Sequence, residues 1–306
     1  MAISTTARMR ALCIIACISG PVLLVCALER EASADAPEAS RLGSTLFKTT
    51  VKNTVDARSL AQTAPTATTP TTGSATFPAA PIAVRKNEVV ALNSSASPYF
   101  LVVPEAYDES HNTPTQLFIW LHGCGGHAAN DARVVSPGGS QSWLTVSVGG
   151  RDGGCWNTGT DASLVLAALD DVEQRLNVDP CRVTIGGYSS GGNLAYRTAF
   201  YNAGRFAGII AENTAPFYGT GSSQSASLAA AAWKLNVAHL AHTGDMTYPI
   251  ANIRNETEAL KAAGFPETLL ERAGSHWNSD TASSGTNYDL RAYLLPFLDA
   301  GWRSPE

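Results

Sequence analysis

Charge is what this sequence has least of. Asp, Glu, Lys and Arg make up 15% of the 306 residues, and the formal net charge is −5. Lys and Arg gather into no stripe, so there is no electrostatic footprint for nucleic acid. Metal-ligand spacing is missing as well: there is no His-Glu-x-x-His, and the six histidines and six cysteines form no clustered ligand set. Gly149 to Gly154 is glycine-rich, but it lacks Gly-x-Gly-x-x-Gly spacing and a ribose-binding acid, and reads as a loop near the site rather than a phosphate cradle. No repeat of fixed period occurs. No metal, cofactor or nucleic acid is therefore expected. With 44% apolar residues, the composition also excludes a wholly disordered chain, a collagen-like chain and a cysteine-stapled miniature.

One long apolar run is present. Arg8 and Arg10 precede Ala11–Leu28, an uncharged stretch of 18 residues, and Ala32-Ser33-Ala34 follows. This three-part pattern is that of a secretory signal, cleaved near Ala34. An uncleaved membrane anchor is the alternative, weakened by Gly20 and Pro21 in mid-run. A lipoprotein site at Cys17 is a third reading. Residues 1–34 are thus assigned to targeting, and any membrane contact to this segment alone. Residues 35–84, rich in Thr, Ala and Pro, lack the apolar surface to offset chain entropy and read as a disordered linker. The folded unit is expected at 85–302, secreted or held at the cell envelope.

Within it, strand and helix signals alternate. Strand-like runs lie at Glu88–Leu92, Tyr99–Val103, Leu117–Leu121, Leu144–Val148, Arg182–Ile185, Ala207–Ala211, Val237–Ala241 and Thr268–Arg272. Helical patterns lie at Asp161–Leu176, Gly191–Tyr201, Ile250–Ala263 and Thr286–Leu298. Thr160 or Asp161 is expected to cap the first of these, and Pro296 to kink or end the last. Such alternation predicts an α/β fold with a mostly parallel sheet, and a short first connection predicts an antiparallel hairpin at one edge.

The sharpest signal is Gly187-Tyr188-Ser189-Ser190-Gly191, placed between a strand and a helix. A Gly-x-Ser-x-Gly in that setting is a nucleophile elbow, whose tight turn exposes the serine at the carboxyl edge of the sheet. A serine needs a base, and the base needs an orienting acid. In this topology the order is Ser, acid, His. His239 sits inside a strand pattern and reads as a core residue. His276 follows the last strand in Gly274-Ser275-His276-Trp277, where an exposed, mobile imidazole belongs. Asp245 ends the preceding strand at the same edge, with Asp280 the competing acid. Ser189, His276 and Asp245 are the candidate catalytic residues.

Charge developing on an acyl oxygen also needs N–H donors. His122-Gly123-Cys124-Gly125-Gly126 follows a strand directly, so Cys124 or Gly123 is expected to supply one amide and Ser190 the other. His122 reads as a brace. With three cysteines in the presumed signal, Cys124, Cys155 and Cys181 remain. Cys124 and Cys155 both follow strands and lie at one edge of the sheet. Cys181 precedes its strand, a helix length of about 24 Å away. A Cys124–Cys155 disulfide is expected, with Cys181 free; a thiol nucleophile is the weaker rival.

These motifs, with Gly154-Cys155-Trp156, Asp179-Pro-Cys-Arg-Val, Gly244-Asp245 and Ser275-His276-Trp277, resemble the α/β-hydrolase fold. More narrowly, they are similar to the secreted esterases grouped with polyhydroxybutyrate depolymerases and feruloyl esterases. The resemblance implies an eight-stranded mixed sheet, no cofactor, Ser189 as nucleophile, Asp245 as acid and His276 as base. It implies hydrolysis of a carboxylic ester, polymeric or small. No polymer-binding module is apparent after the linker, which leaves a small soluble ester open. Trp156, Tyr188 and Trp277, with Phe217, Tyr218 and Tyr248, are candidates for lining an acyl or phenolic pocket, core packing being the alternative. The stretch after Phe217 is too small and polar for a greasy lid, so an open site is expected. A secreted serine peptidase and a non-catalytic surface-binding protein are the other readings.

Overall fold

The computed structural model describes residues 84–136, 141–218, 224–277 and 284–299. All lie in the unit Phe77–Glu306; the unit Met1–Thr76 lies outside the described residues, as do the expected signal, nearly all of the linker, Asp280 and 219–223.

Eight strands form one sheet: β1 (Val89–Asn93), β2 (Pro98–Val102), β3 (Thr115–Leu121), β4 (Leu144–Val148), β5 (Val178–Tyr188), β6 (Gly208–Glu212), β7 (Asn236–His242) and β8 (Glu267–Arg272). Their order in the sheet is β1-β2-β4-β3-β5-β6-β7-β8. β2 runs antiparallel to both β1 and β4, and every other pairing is parallel. The expected edge hairpin is β1–β2. The helices are α1 (Ala128–Val134), α2 (Ala162–Arg175), α3 (Ser190–Tyr201), α4 (Gln224–Ala230), α5 (Ile250–Ala262), α6 (Thr286–Asp289) and α7 (Pro296–Asp299).

Alternation along the strands explains the layering. Leu117, Ile119 and Leu121 of β3 join the core shared with α2 and α3, whereas Phe118 and Trp120 face the other side with Leu290, Leu294 and Leu298. The sheet is covered on both faces, so β4, β6 and β7 are buried along their whole length. In α2 the buried residues are Val165, Ala168, Leu169 and Val172, one helical stripe. The edge strand β8 exposes Thr268, Glu271 and Arg272 to water, and such charges discourage further pairing.

Two helices, α1 and α4, have no counterpart in the sequence reading. Each is seven residues long, too short to display an apolar period. The expected single helix Thr286–Leu298 is divided: α6, a π-helical turn at Leu290–Leu294, and α7, which starts at Pro296. Proline lacks an N–H and suits the first turn of a helix, so it opens α7 rather than kinking one long helix. Asp161 occupies the N-cap position of α2, but its carboxylate makes no cap bond. It turns instead to Arg151, bound through two contacts of 2.8 Å, and to the Asn157 N–H. The Arg151–Asp161 pair staples the loop that carries Cys155.

Candidate active site

Ser189 sits between β5 and α3 with φ 54° and ψ −121°, a conformation that a residue with a Cβ rarely adopts. Its N–H donates to the Glu212 carbonyl at 3.0 Å, which pins the turn to the end of β6. The flanking glycines are required by crowding: a Cβ on Gly187 would collide with Gly191, and one on Gly191 with the Leu121 carbonyl. The turn therefore holds the hydroxyl at the carboxyl edge of the sheet.

Three side chains from three loops meet there. His276 Nε2 lies 3.1 Å from Ser189 Oγ, and His276 Nδ1 lies 2.8 Å from Asp245 Oδ2. Asp245 is buried; its other oxygen accepts the N–H groups of Thr247 at 2.7 Å and Tyr248 at 2.9 Å. With Asp245 accepting from Nδ1–H, Nε2 is left as the proton acceptor facing Ser189. The imidazole differs from expectation in one respect: it is buried, not exposed. Tyr188 stacks on it at 5.3 Å, Tyr248 lies at 5.6 Å and Trp277 meets it edge-on at 4.9 Å. The carbonyl of His276 is held from below by the Tyr188 hydroxyl and, at 3.3 Å, by Asn213 Nδ2.

The glycine-rich loop after β3 stands opposite. Cys124 is joined to Cys155, with Cα atoms 4.2 Å apart. The Gly125 N–H donates to Gly154 and the Gly153 N–H to Gly126, and His122 Nδ1–H closes onto the Gly123 carbonyl at 2.7 Å. The amides of Gly123 and Cys124 make no hydrogen bond among the described residues. The Ser190 N–H, at the first turn of α3, has no intrahelical acceptor either. Cys181 is not part of this disulfide.

The aromatic candidates separate into two groups. Trp156 is buried, and its indole N–H donates to the His122 carbonyl at 2.8 Å, so it supports the loop rather than walling a pocket. Tyr188 is likewise spent on the His276 loop, and Phe217 stacks on Phe200 beside the core. Trp277 is 65% exposed and Tyr218 58% exposed, the latter packed edge-on against Tyr248. These two, with exposed Met246, rim the site.

No family model matches this chain. A curated relative, feruloyl esterase C of Emericella nidulans, is 31% identical over 123 residues, 36% of this chain and 44% of that protein. The chain thus matches less than half of that relative's length. A solved acylaminoacyl peptidase of Pyrococcus horikoshii superposes with a TM-score of 0.53 at 14% identity, over 72% of this chain and 42% of that one. Esterase PE8 gives 0.50 at 16% identity, over 66% and 98%. A thermostable esterase gives 0.50 at 18%, over 60% and 54%. The fold is that of the α/β-hydrolases. In this fold the elbow, the glycine-rich loop and the Asp245 loop all leave the carboxyl ends of parallel strands, which brings them to one edge.

Sequence reasoning missed Asn213. It adopts φ 44° at the end of β6. Its Oδ1 accepts from the His242 backbone and from His242 Nδ1 at 2.8 Å, while its Nδ2 reaches His276. An Asn at a strand's carboxyl end, tolerant of left-handed backbone, was the available signal. His239 is fully buried against the Tyr196 hydroxyl at 2.8 Å, and burial pushes its pKa down to about 3. Its folded pKa is below its unfolded value of about 6.5, so the stability it allows is complete above pH 6.5 and is lost as pH falls. Urea midpoints should therefore decline from pH 6.5 toward pH 3, by up to about 1.4 kcal/mol per unit from this group. His239→Gln should flatten that slope by about one proton.

Proposed function

We propose that this chain is an exported serine esterase that hydrolyses carboxylic esters through a Ser189–His276–Asp245 triad. The observation that carries the reading is the hydrogen-bonded line from Asp245 through His276 to Ser189, opposite amides that make no hydrogen bond among the described residues. His276 Nε2 takes the Ser189 proton as Oγ attacks the ester carbonyl. The N–H groups of Cys124 or Gly123 and of Ser190 hold the oxyanion. Collapse expels the alcohol, protonated by His276. Water, activated by the same imidazole, then releases the acid.

Export is supported by the disulfide, since such bridges persist in oxidising compartments. The candidate substrates are aliphatic polyhydroxyalkanoate-type esters and feruloyl or acetyl esters of plant polymers. The exposed Trp277 and Tyr218 at the rim favour an aromatic acyl group, in keeping with the name of the curated relative. The full chain should hydrolyse methyl ferulate and p-nitrophenyl butyrate, with the higher kcat/KM for the ferulate, and leave peptide amides intact. Amide cleavage at comparable rate would point to a peptidase. Product from no substrate, with no labelling by a fluorophosphonate, would sink the catalytic reading.

A further inference from the structure

A second histidine and a second carboxylate meet behind the triad. His242 ends β7, and its Nε2 lies 3.2 Å from Oδ2 of Asp289, the last residue of α6. Both side chains are more than nine-tenths buried. His242 reaches both triad loops. Its carbonyl accepts the Asp245 N–H at 3.1 Å, and its Nδ1 lies 2.8 Å from Asn213 Oδ1. Asn213 in turn gives an Nδ2 hydrogen to the His276 carbonyl at 3.3 Å, where the Tyr188 hydroxyl also donates. Neither His242 nor Asp289 belongs to the triad itself.

Backbone groups decide where the hydrogens lie. The His242 N–H, which can only donate, points at Asn213 Oδ1 from 3.2 Å, and the His276 carbonyl, which can only accept, faces Nδ2. The Asn213 amide therefore has one orientation. His242 Nδ1 faces an acceptor and must carry a hydrogen. Its Nε2 faces a carboxylate oxygen, yet a neutral imidazole has only one N–H. Two lone pairs would then confront each other in a buried site. Were the hydrogen on Nε2 instead, Nδ1 would confront Asn213 Oδ1. One further proton, shared by His242 and Asp289, satisfies both contacts.

We propose that His242 and Asp289 share a proton and are positioning residues: through Asn213 they hold the His276 carbonyl, and so aim the base at Ser189. The proposal rests on the serine esterase reading above. Burial pushes the pKa of His242 down, while Asp289 draws a proton toward it. Two other charges act on the ring in opposite senses, Asp245 beside the base and Arg272 at the end of β8. Asn213, which follows β6, brings no charge. The proton belongs to the pair and is lost as pH rises. The ring can then serve only one of its two acceptors, and the hold on His276 loosens.

The test compares the full chain with Asp289→Leu and Asp289→Asn in p-nitrophenyl butyrate hydrolysis, per site titrated with a fluorophosphonate. Leucine fills the space and offers no hydrogen bond. An asparagine N–H can donate to Nε2 with no titrating proton. At about pH 6, Asp289→Leu should lower kcat about tenfold and leave KM within about twofold, and Asp289→Asn should recover kcat to within about threefold of wild type. From about pH 5 to pH 9, the kcat of wild type relative to Asp289→Asn should fall at least about threefold, since the protonation of His276 affects both alike. A flat ratio overturns the shared proton. Asparagine no better than leucine, or a raised KM with unchanged kcat, overturns the positioning role. If neither variant folds, the wild type decides: the ring signals of His242 in nitrogen-15 spectra should move over the same pH range, and fixed signals overturn the proposal. A wild-type chain without product or labelling refutes the esterase reading itself, whereas an active wild type with indifferent variants refutes only this role.

Discussion

Ser189→Ala in the full chain should lower kcat for p-nitrophenyl butyrate by about 10⁴-fold or more. His276→Ala should cost about the same, and the double variant little beyond either, because the two groups act as one unit. That non-additivity is the informative result. Two residues contributing independently would multiply their losses; a nucleophile and its base cannot. Folding provides the control. Ser189 holds φ 54° through its turn and its neighbours rather than through its hydroxyl, so Ser189→Ala should keep the wild-type melting temperature. Ser189→Gly should be no less stable than Ser189→Ala, since glycine accepts that backbone without strain and offsets its extra unfolded-state entropy. A Ser189→Ala chain that kept a tenth of the activity would place the nucleophile elsewhere.

The parts of this molecule that could be read in advance are those with a short-range cause. All eight strands overlap the strand-like runs, and β4, β6 and β7 were plainest because strands covered on both faces are apolar nearly throughout. The turn at Ser189 was legible because a strained backbone demands glycine at fixed offsets. The loops bearing Asp245 and His276 were legible because topology brings every parallel strand's carboxyl end to one edge. What could not be read depends on contacts far apart in sequence. Tyr188 and Asn213 meet the His276 carbonyl across 88 and 63 residues. Trp156 finds the His122 carbonyl across 34. Trp156 and Tyr188 read as lining candidates, and Asn213 drew no reading, because nothing local states their partners. The burial of His276 has the same origin in part, since Tyr188 at the end of β5 and Tyr248 after the acid close around it together with its neighbour Trp277.

The Cys124–Cys155 bridge should stabilise the fold by about 3–4 kcal/mol, the chain-entropy value for a closed loop of this size, and it spans 31 residues. A Cys124→Ser/Cys155→Ser chain should lose that amount in urea unfolding. Its effect on rate should be smaller than removal of an oxyanion donor, which costs about 10²–10³-fold, because the donor proposed at Cys124 or Gly123 is a backbone N–H that the substitution leaves in place. The loop also keeps its other ties: Trp156 to the His122 carbonyl, Gly125 to Gly154 and Gly153 to Gly126. A loss of roughly tenfold in kcat is expected, since donor placement loosens without the donor being lost. The two readouts separate because they arise in different states. Stability is gained mainly by restricting the unfolded chain, while rate depends on where the native amide points. If the double variant loses stability but keeps kcat within about twofold, the non-covalent ties alone aim the donor. If Trp156→Phe in the oxidised chain lowers kcat as much as breaking the bridge, indole and disulfide share the task of holding one loop against one wall.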